Sequence, residues 1–358
     1  MTILYITAFP PNQKTAGQDY TRRLLNDLVS CGHKVSLIYA EFPSHTAELS
    51  DKIKVLSTIR PSLKYCLSLP NFHPFFTRRF DKHILSLIKS IANEYDMLYF
   101  DFSQVHIYAK FIAHPNKVLM CHDVICQKFS RKNKVFLPWI KSCEKNLLCS
   151  ASKIVTFSGK DCDVIKKNYE LNSTAVNFYL KNGHFDYNAE NISVKKNTFC
   201  FYGAWNRTEN SECFEWFLEK VYPNLSPDFN FVVIGYGIDV KLKSKVSACK
   251  NIKIAGFVEN PVAEIAKCQA LVAPLHKGAG VKVKVIDALS SGTSVVGTDV
   301  TFEGIEDNSK NPLFLKINSA EQCIKILENW KETEKKQKQA AADEFFERYN
   351  TNHFVDLL

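Results

Sequence analysis

Short apolar runs alternate with amphipathic stretches along the first half of the chain. Runs rich in β-branched residues predict buried strands, and they occupy residues 3–7, 34–39, 118–121, 153–157 and 174–178. Between the first two runs, the spacing of Leu24, Leu25 and Leu28 predicts a helix over residues 20–31. Gly32 then supplies the residue type at which helices commonly end. This alternation is typical of a parallel sheet with helices on both faces.

The rhythm breaks once and then starts again. Asn182 and Gly183, with the polar stretch after them, indicate a linker over residues 184–196. A second set of strand-like runs follows at residues 198–202, 230–235, 251–254, 270–274 and 294–297. A chain of 358 residues also exceeds the roughly 250 to 300 residues that one hydrophobic core serves. The pattern therefore predicts two doubly wound, Rossmann-like α/β domains, residues 1–183 and 197–335, facing each other across a ligand-binding cleft.

The end of the chain has helical character. Ser319 and Gln322 have the spacing of a capping box, which predicts a helix start. Phe345 and Tyr349 need a surface to cover. We expect the helix over residues 336–358 to cross back and pack on the N-terminal domain.

Composition limits the cellular setting and the chemistry. No run approaches the roughly 20 apolar residues that span a bilayer, and residues 1–11 resemble a strand rather than a signal peptide. Twelve cysteines are scattered without a CxxC pair or a Cys/His cluster. That pattern gives no recognisable zinc site and fits a reducing compartment. We therefore expect a cytoplasmic protein that uses no metal and no cofactor.

The formal net charge of +9 predicts an anionic partner. Basic and aromatic residues are interleaved in two segments, residues 71–80 and 128–136. One interpretation makes them solvated loops and helix starts with core phenylalanines. The other places them at the inner face of an anionic membrane, where lysine and arginine meet headgroups and phenylalanine enters the interface. We expect no nucleic-acid partner.

The strongest chemical signal lies in residues 274–304. Gly278 and Gly280 follow a predicted strand and precede a predicted helix, so the backbone could approach a phosphate closely at the helix N-terminus. Lys282 and Lys284 fall in the first helical turn, where the helix dipole disfavours cations unless an anion is bound. The segment therefore predicts a diphosphate-binding loop, and the alternative is a solvated helix end.

This segment resembles the donor-binding signature of retaining GT-B glycosyltransferases of family four, the group 1 type. The resemblance spans nearly the whole chain, because other segments fall in the order typical of that family: Gly17, residues 32–35, His122 and Asp123, Asn182 and Gly183, and residues 203–210, 235–237 and 256–258. It implies the GT-B fold, with an acceptor-binding domain first and a donor-binding domain second.

The resemblance implies roles for residues of the second domain. Arg207 would be a second clamp on the diphosphate, with Asn210 at the start of the next helix, although the same residues also suit an ordinary helix start. Asp287 stands where the family usually has a glutamate that receives the ribose hydroxyls, and it is shorter by one methylene. The backbone around Phe257 and Val258 would select the base.

It also implies roles in the first domain. His122 would contact the transferred sugar and Asp123 would orient it or cap a helix, whereas spacing alone fits a core imidazole beside a cap equally well. Gly17 would let the first loop lie against the diphosphate and acceptor, and otherwise it is a turn glycine. In the retaining mechanism the departing phosphate takes the acceptor proton, so no dedicated base is required. Lys277 replaces a second family glutamate, so no carboxylate nucleophile is expected in that loop.

These patterns predict a hexosyltransferase-type enzyme that moves a sugar from a nucleotide sugar to a glycan or lipid-linked glycan with retention of anomeric configuration. Its setting would be surface polysaccharide or glycan biosynthesis. Two alternatives are a nucleotide-sugar epimerase of the same plan and a non-catalytic nucleotide-sugar-binding module. A dinucleotide-dependent oxidoreductase is disfavoured, because residues 9–13 lack the glycine-rich turn that such an enzyme needs after its first strand.

Overall fold

The computed structural model describes residues 1–67, 69–132, 134–176, 185–186, 192–305 and 311–350. The chain divides into two compact units, Met1–Tyr179 and Leu180–Thr351. Each unit is built on one parallel sheet with helices between the strands, which confirms the predicted pair of Rossmann-like α/β domains. Among these residues, no helix is both long and apolar enough to cross a bilayer.

The first unit contains a seven-stranded sheet. Its strands are β1 (Thr2–Thr7), β2 (Lys34–Ala40), β3 (Lys54–Ile59), β4 (Met97–Asp101), β5 (Lys117–Cys121), β6 (Lys153–Thr156) and β7 (Thr174–Ala175). Its helices are α1 (Ala16–Ser30), α2 (Pro74–Thr77), α3 (Lys82–Ile91), α4 (His106–Lys110), α5 (Ile125–Lys132), α6 (Leu137–Leu148) and α7 (Gly159–Tyr169). The strand order is β3-β2-β1-β4-β5-β6-β7, so the chain reverses direction across the sheet at β1 and β4.

Helix α1 begins four residues earlier than predicted. Thr15 is its N-cap, and the Thr15 side chain accepts a hydrogen bond from the backbone N–H of Gln18. Gly17 therefore lies in the first turn of α1, and its predicted placement in a loop is wrong. Leu24 is fully buried as predicted, and Gly32 ends the helix with a φ of +84°.

The second unit contains a six-stranded sheet. Its strands are β8 (Thr198–Tyr202), β9 (Asn230–Ile234), β10 (Ile252–Gly256), β11 (Ala270–Ala273), β12 (Ser294–Gly297) and β13 (Phe314–Lys316). Its helices are α8 (Thr208–Lys220), α9 (Val240–Ser247), α10 (Pro261–Ala266), α11 (Val283–Ser290), α12 (Ala320–Glu328) and α13 (Lys335–Asn350). The order β10-β9-β8-β11-β12-β13 again reverses at the centre of the sheet, between β8 and β11. In such sheets ligands bind beyond the carboxyl ends of the strands at the reversal.

Aromatic packing fixes α8 over the second sheet. Phe214 and Phe217 are fully buried, and each ring centroid lies 4.7 Å from that of Phe201 on β8. Buried aromatic side chains bring large apolar areas out of water and prefer such tilted contacts. This packing holds the start of α8 beside the end of β8, where the predicted donor residues lie.

The described part of the predicted linker packs on the second unit. Phe185 packs on Val262 and Ala266 of α10, and its carbonyl accepts a hydrogen bond of 2.9 Å from the side chain of Gln339 on α13. Residues 184 and 187–191 of that prediction lie outside the described residues. The start of α12 confirms the capping box, because Ser319 accepts from the backbone N–H of Gln322.

The described part of the last helix packs within its own unit. Helix α13 lies against α11, and a Cβ placed on Gly292 would come within 2.2 Å of the carbonyl oxygen of Lys338. Phe345 is buried and its ring lies 6.0 Å from that of Phe314. Residues 351–358 lie outside the described residues, so the return of this helix to the first domain stays a prediction.

Candidate functional site

The predicted diphosphate loop connects β11 to α11. Gly278 has a φ of +119° and Gly280 a φ of +69°, conformations that residues with a side chain rarely adopt. Lys282 is the N-cap of α11, one position before the helix, and its side chain makes no capping hydrogen bond. No N-cap side chain therefore satisfies the first-turn amides of α11, an arrangement that suits an anionic ligand.

Lys284 lies in the first turn of α11 and reaches α8. Its Nζ donates to Oδ1 of Asn210 over 2.7 Å, and Nδ2 of Asn210 donates to the carbonyl oxygen of Ala204 over 2.8 Å. Burial lowers the pKa of Lys284, while the nearby Cys213 and Glu209 raise it. The hydrogen-bond partner of Lys284 is a neutral amide, so this contact does not neutralise the positive charge of the lysine. An incoming anion could therefore form a charge-assisted hydrogen bond with it, which is stronger than one between neutral groups.

Arg207 stands at the rim of the same cluster. It is the exposed N-cap residue of α8 and makes no side-chain capping hydrogen bond. It is close enough for its charge to lower the pKa of Lys284 further. Arg207, Asn210 and Lys284, which the sequence analysis assigned separately to the donor site, therefore lie close together in the structure.

Lys282 has a carboxylate neighbour that the sequence analysis did not assign. Its Nζ lies 3.6 Å from Oε2 of Glu303 and 2.5 Å from the carbonyl oxygen of Gly280. The side chains of Lys282 and Glu303 are only 10% and 7% exposed. Because the pair is largely shielded from water, an anionic ligand at Lys282 has to compete with Glu303.

Asp287 lies one turn further along α11 and is almost completely buried. Burial raises the pKa of Tyr202, and the negative charge of Asp287 raises it further. Tyr202 is the last residue of the central strand β8. The carboxylate predicted to receive a ribose is therefore near the carboxyl end of that strand.

Three glycines bring the loops after β8, β9 and β10 together. The amide N–H of Gly235 donates to the carbonyl of Gly256 over 2.7 Å. A Cβ on Gly235, whose φ is +114°, would come within 1.9 Å of the carbonyl oxygen of Gly203, so no other residue fits there. Directly after Gly256, Phe257 is 75% exposed and Val258 is half-buried. These two residues thus stand at the same sheet edge as the loop of Gly278 and Gly280.

The first unit holds a second polar cluster, at the ends of β4 and β5. Nε2 of His122 lies 2.7 Å from Oδ1 of Asp101, which is fully buried. The other oxygen of Asp101 accepts from the hydroxyls of Thr21 at 2.5 Å and Thr7 at 3.3 Å. With its Nε2–H given to this carboxylate, a neutral His122 presents Nδ1 as a hydrogen-bond acceptor.

Aromatic residues hold the ring of His122 in place. Phe102 stacks on it with centroids 3.6 Å apart, and the edges of Phe157 and Tyr20 approach at 4.9 and 5.6 Å. Phe102 has a φ of +71°, and backbone strain of this kind is concentrated at functional sites. A Cβ on Gly17 would lie 3.0 Å from Phe102 and 3.4 Å from Nδ1 of His122, so the small residue is needed here.

The role predicted for Asp123 in orienting His122 is wrong. Asp123 pairs with Lys128 at 3.3 Å, whereas Asp101 holds the imidazole. The reason is the strand order, since β4 lies beside β5 and Asp101 pairs in register with Met120 near the end of β5. The start of α5, just after Asp123, is held by a different carboxylate. Glu144 accepts hydrogen bonds from the backbone N–H groups of residues 125 and 126.

Sequence analysis missed Asp101 and Glu303. Asp101 ends the apolar run at residues 97–100, which forms the buried strand β4 but was not among the predicted strands. That position alone was the available signal. Across the described ranges, no group of three or more His, Cys, Asp or Glu residues is arranged to hold a metal ion.

The two clusters are suited to different chemical tasks. The edge of the second sheet offers Arg207, Lys282 and Lys284 to an anion and Asp287 to hydroxyl groups. Cations placed in advance stabilise charge that develops on a leaving group. The first unit offers an oriented imidazole, which can accept or donate a hydrogen bond or a proton.

One family model matches the second unit. Residues 196–329 match the family model described as "Glycosyl transferases group 1". That range runs from the start of β8 to the end of α12 and contains the polar residues described at this sheet edge, Arg207, Asn210, Lys282, Lys284, Asp287 and Glu303. The first unit lies outside this match.

A protein encoded in the cps region of Klebsiella pneumoniae, described as an uncharacterised 44.6 kDa protein, is 27% identical over 226 residues. The alignment covers 56% of this chain and 56% of that protein, so the chain spans about half the length of the relative it matches.

Solved structures extend the likeness to both units. TarM superposes with a TM-score of 0.70 at 10% identity, covering 99% of this chain and 97% of TarM. WaaG, a glycosyltransferase involved in lipopolysaccharide biosynthesis, superposes with a TM-score of 0.64 at 14% identity, covering 99% of this chain and 97% of WaaG. Anabaena HepE, solved with UDP, superposes with a TM-score of 0.65 at 13% identity, covering 100% of this chain and 99% of HepE. At these identities the likeness concerns the fold.

The fold seen in the structure agrees with the comparisons. Both the strand order of the two sheets and the cationic loop after β11 fit a GT-B glycosyltransferase. The chain has the fold of the GT-B glycosyltransferases, and the comparisons support a glycosyltransferase of the group 1 type whose second domain carries the family match.

Proposed function

We propose that this chain transfers a sugar from a nucleotide-sugar donor to a glycan or lipid-linked glycan acceptor, with retention of anomeric configuration. The donor is held by the second unit. The setting proposed is the biosynthesis of surface polysaccharide, which the cps-region relative supports.

The observation that carries the proposal is the contact between Lys284 and Asn210. It joins the helix after the glycine loop to the helix after β8, and it places a largely buried cation at the carboxyl edge of the sheet. A nucleotide sugar presents a diphosphate, and the departing nucleoside diphosphate gains negative charge as the glycosidic bond breaks. Lys284, Lys282 and Arg207 would stabilise that charge without any metal ion.

The other assignments follow the chemistry of the donor. Asp287 would accept hydrogen bonds from the ribose hydroxyls, and the exposed Phe257 with Val258 would lie beside the base. HepE was solved with UDP and with UDP-glucose, which supports a nucleotide sugar as donor here.

His122 is proposed to contact the transferred sugar. Asp101 fixes which ring nitrogen faces away from the sheet, and Phe102 fixes the plane of the ring. In a retaining reaction the departing phosphate accepts the proton of the acceptor hydroxyl, so His122 would position the sugar and stabilise charge.

One observation favours inversion as a second candidate. A histidine bonded to a buried carboxylate at 2.7 Å has the arrangement of an activated general base, and inversion needs such a base to deprotonate the acceptor. The two candidates differ in the anomeric configuration of the product, which proton NMR of the purified glycoside reads directly.

The experiment that tests the proposal is incubation of the protein with several nucleotide sugars, with and without candidate acceptors, followed by measurement of free nucleoside diphosphate. Acceptor-stimulated release supports the transferase. Interconversion of nucleotide sugars without release would support the epimerase instead. Tight binding with neither reaction would support a non-catalytic binding module.

A further inference from the structure

The net charge of the chain is concentrated in two short segments of the first unit. Residues 60–80 and 124–143 contain nine Lys and Arg residues and no Asp or Glu. The remaining 317 residues carry 37 Lys and Arg against 37 Asp and Glu, so the whole formal charge of +9 resides in these segments. At the average frequency of the chain, 41 residues would include about four acidic ones.

The two segments are in contact with each other. Nε1 of Trp139 donates to the carbonyl of Asn71 over 3.2 Å, and the ring of His73 lies 4.9 Å from Trp139 and 5.7 Å from Phe136. The first segment is also folded on itself, because the amide of Ser62 donates to the carbonyl of Arg78 over 2.9 Å. The two segments therefore form one region of the surface. Some of their nine cations are engaged elsewhere, because Arg79 is largely buried and donates to the carbonyl of Ala8, and Lys128 pairs with Asp123.

Large apolar side chains project from the same region. Leu67 is 85% exposed, Val135 81%, Leu63 66% and Phe136 43%. Exposed lysines alternate with them at Lys64 and Lys134. We call Leu63, Lys64, Leu67, Lys134, Val135 and Phe136 the basic-apolar face. Exposed aliphatic residues grouped among cations are unusual on a surface that meets only water.

We propose that the basic-apolar face binds the surface of an anionic lipid bilayer, with its lysines at the headgroups and its leucine, valine and phenylalanine side chains in the interfacial layer. Charge attracts the protein to the lipid, and burial of the apolar side chains holds it there. Such a face would bring the first unit to a lipid-linked acceptor. This use rests on the proposed function, but bilayer binding itself does not.

The apolar side chains distinguish this partner from an acidic glycan. A soluble polyanion would be bound by lysine and arginine with polar neighbours, and exposed Leu67 and Val135 would add nothing. A bilayer uses both kinds of residue. Binding should therefore depend on the charges and, separately, on the apolar side chains.

The test is co-sedimentation of the full chain, without donor, with vesicles of phosphatidylcholine alone or mixed with phosphatidylglycerol. We expect binding to the mixed vesicles only. Lys64→Glu with Lys134→Glu, and separately Leu67→Ser with Val135→Ser, should each lower the bound fraction on the order of tenfold. Val240→Ser is the matched control, since Val240 is 84% exposed between lysine-rich positions of the second unit and lies outside the face.

Each outcome decides the question, because all three variants replace exposed residues and a measurement of their melting temperatures checks that they fold. If the leucine and valine changes leave vesicle binding intact while the lysine changes abolish it, the face binds a polyanion by charge alone and the bilayer assignment is overturned. Equal binding by every variant overturns it as well. Sugar transfer to a soluble acceptor is expected to be unaffected, which separates this proposal from the proposed function.

Discussion

Asp101 and His122 are joined by a hydrogen bond of 2.7 Å, although Asp123 is the carboxylate next to His122 in the sequence. Asp101 is fully buried and its second oxygen is satisfied by hydroxyl donors, so it holds the ring in one orientation. Asp123 points instead to Lys128. Substitution of Asp101 and substitution of Asp123 are therefore expected to have different effects on turnover.

Asp101→Asn is expected to lower turnover about 100-fold while the KM for the donor changes little. The amide carries no negative charge, so it holds the ring of His122 less firmly in one orientation than the carboxylate does. Asp123→Asn is the control, with turnover expected to stay within about threefold, as for an exposed ion pair. A larger loss in Asp123→Asn than in Asp101→Asn would contradict the assignment.

Gly17→Ala should reduce turnover more than it reduces donor binding. Alanine normally stabilises a helix relative to glycine by about 1 kcal/mol, but here the added Cβ meets Phe102 at 3.0 Å and displaces the ring that stacks on His122. Gly159→Ala is a matched change at the start of α7, where nothing lies within 4 Å of the new Cβ. Thermal melting should show a gain for Gly159→Ala and none for Gly17→Ala. Wild-type turnover in Gly17→Ala would argue against a role for this packing.

Asp287 should make donor binding depend on the ribose hydroxyls. The wild-type protein is expected to bind its preferred ribonucleoside diphosphate about 10-fold or more tightly than the 2′,3′-dideoxy analogue, as for hydrogen bonds to a charged group. Asp287→Asn should remove most of that preference while leaving the affinity for the dideoxy analogue nearly unchanged. Titration calorimetry measures all four affinities. An undiminished preference in Asp287→Asn would show that another group receives the ribose.

His106 should make stability fall in mild acid. Burial lowers its pKa to about 4, and its hydrogen bond to Met120 and the charge of Asp101 offset this only in part. Histidine in the unfolded chain titrates near about pH 6.5, so the unfolded state binds the extra proton between about pH 6.5 and 4. This contribution to the free energy of unfolding is complete above that window and falls by about 3 kcal/mol across it.

Urea denaturation of the wild type and His106→Gln checks this point. The difference in unfolding free energy between the two proteins should be largest above about pH 7 and shrink toward about pH 4, because glutamine does not titrate. The carboxylates titrate in both proteins, so their contribution to the unfolding free energy cancels in the difference. A difference that is constant with pH would mean that His106 has the same pKa in the folded and unfolded protein, which would contradict the prediction.

The fold followed from the sequence because its signals are local. Strand-like runs and amphipathic helices are set by neighbouring residues, and their alternation restricts the sheets to parallel order. Lys284 was named from the glycine loop and Asn210 from the family resemblance, but the hydrogen bond between them joins two helices that are far apart in the sequence and was not predicted. Asp101 was missed because its partnership with His122 depends on β4 lying beside β5, and no local pattern specifies that order. The pairing of Glu303 with Lys282 likewise joins two loops that are separate in the sequence.

The central claim is that the second unit binds a nucleoside diphosphate through Lys284. The most direct test is calorimetric titration of a panel of nucleoside diphosphates into the wild type, Lys284→Ala and Lys277→Ala. Lys277 is the matched control, because its half-exposed side chain pairs with Glu212 at 2.7 Å. The account predicts binding of at least one nucleoside diphosphate, weakened about 10- to 100-fold by Lys284→Ala and little changed by Lys277→Ala. Equal affinity in all three proteins, or no binding by the wild type, would contradict it.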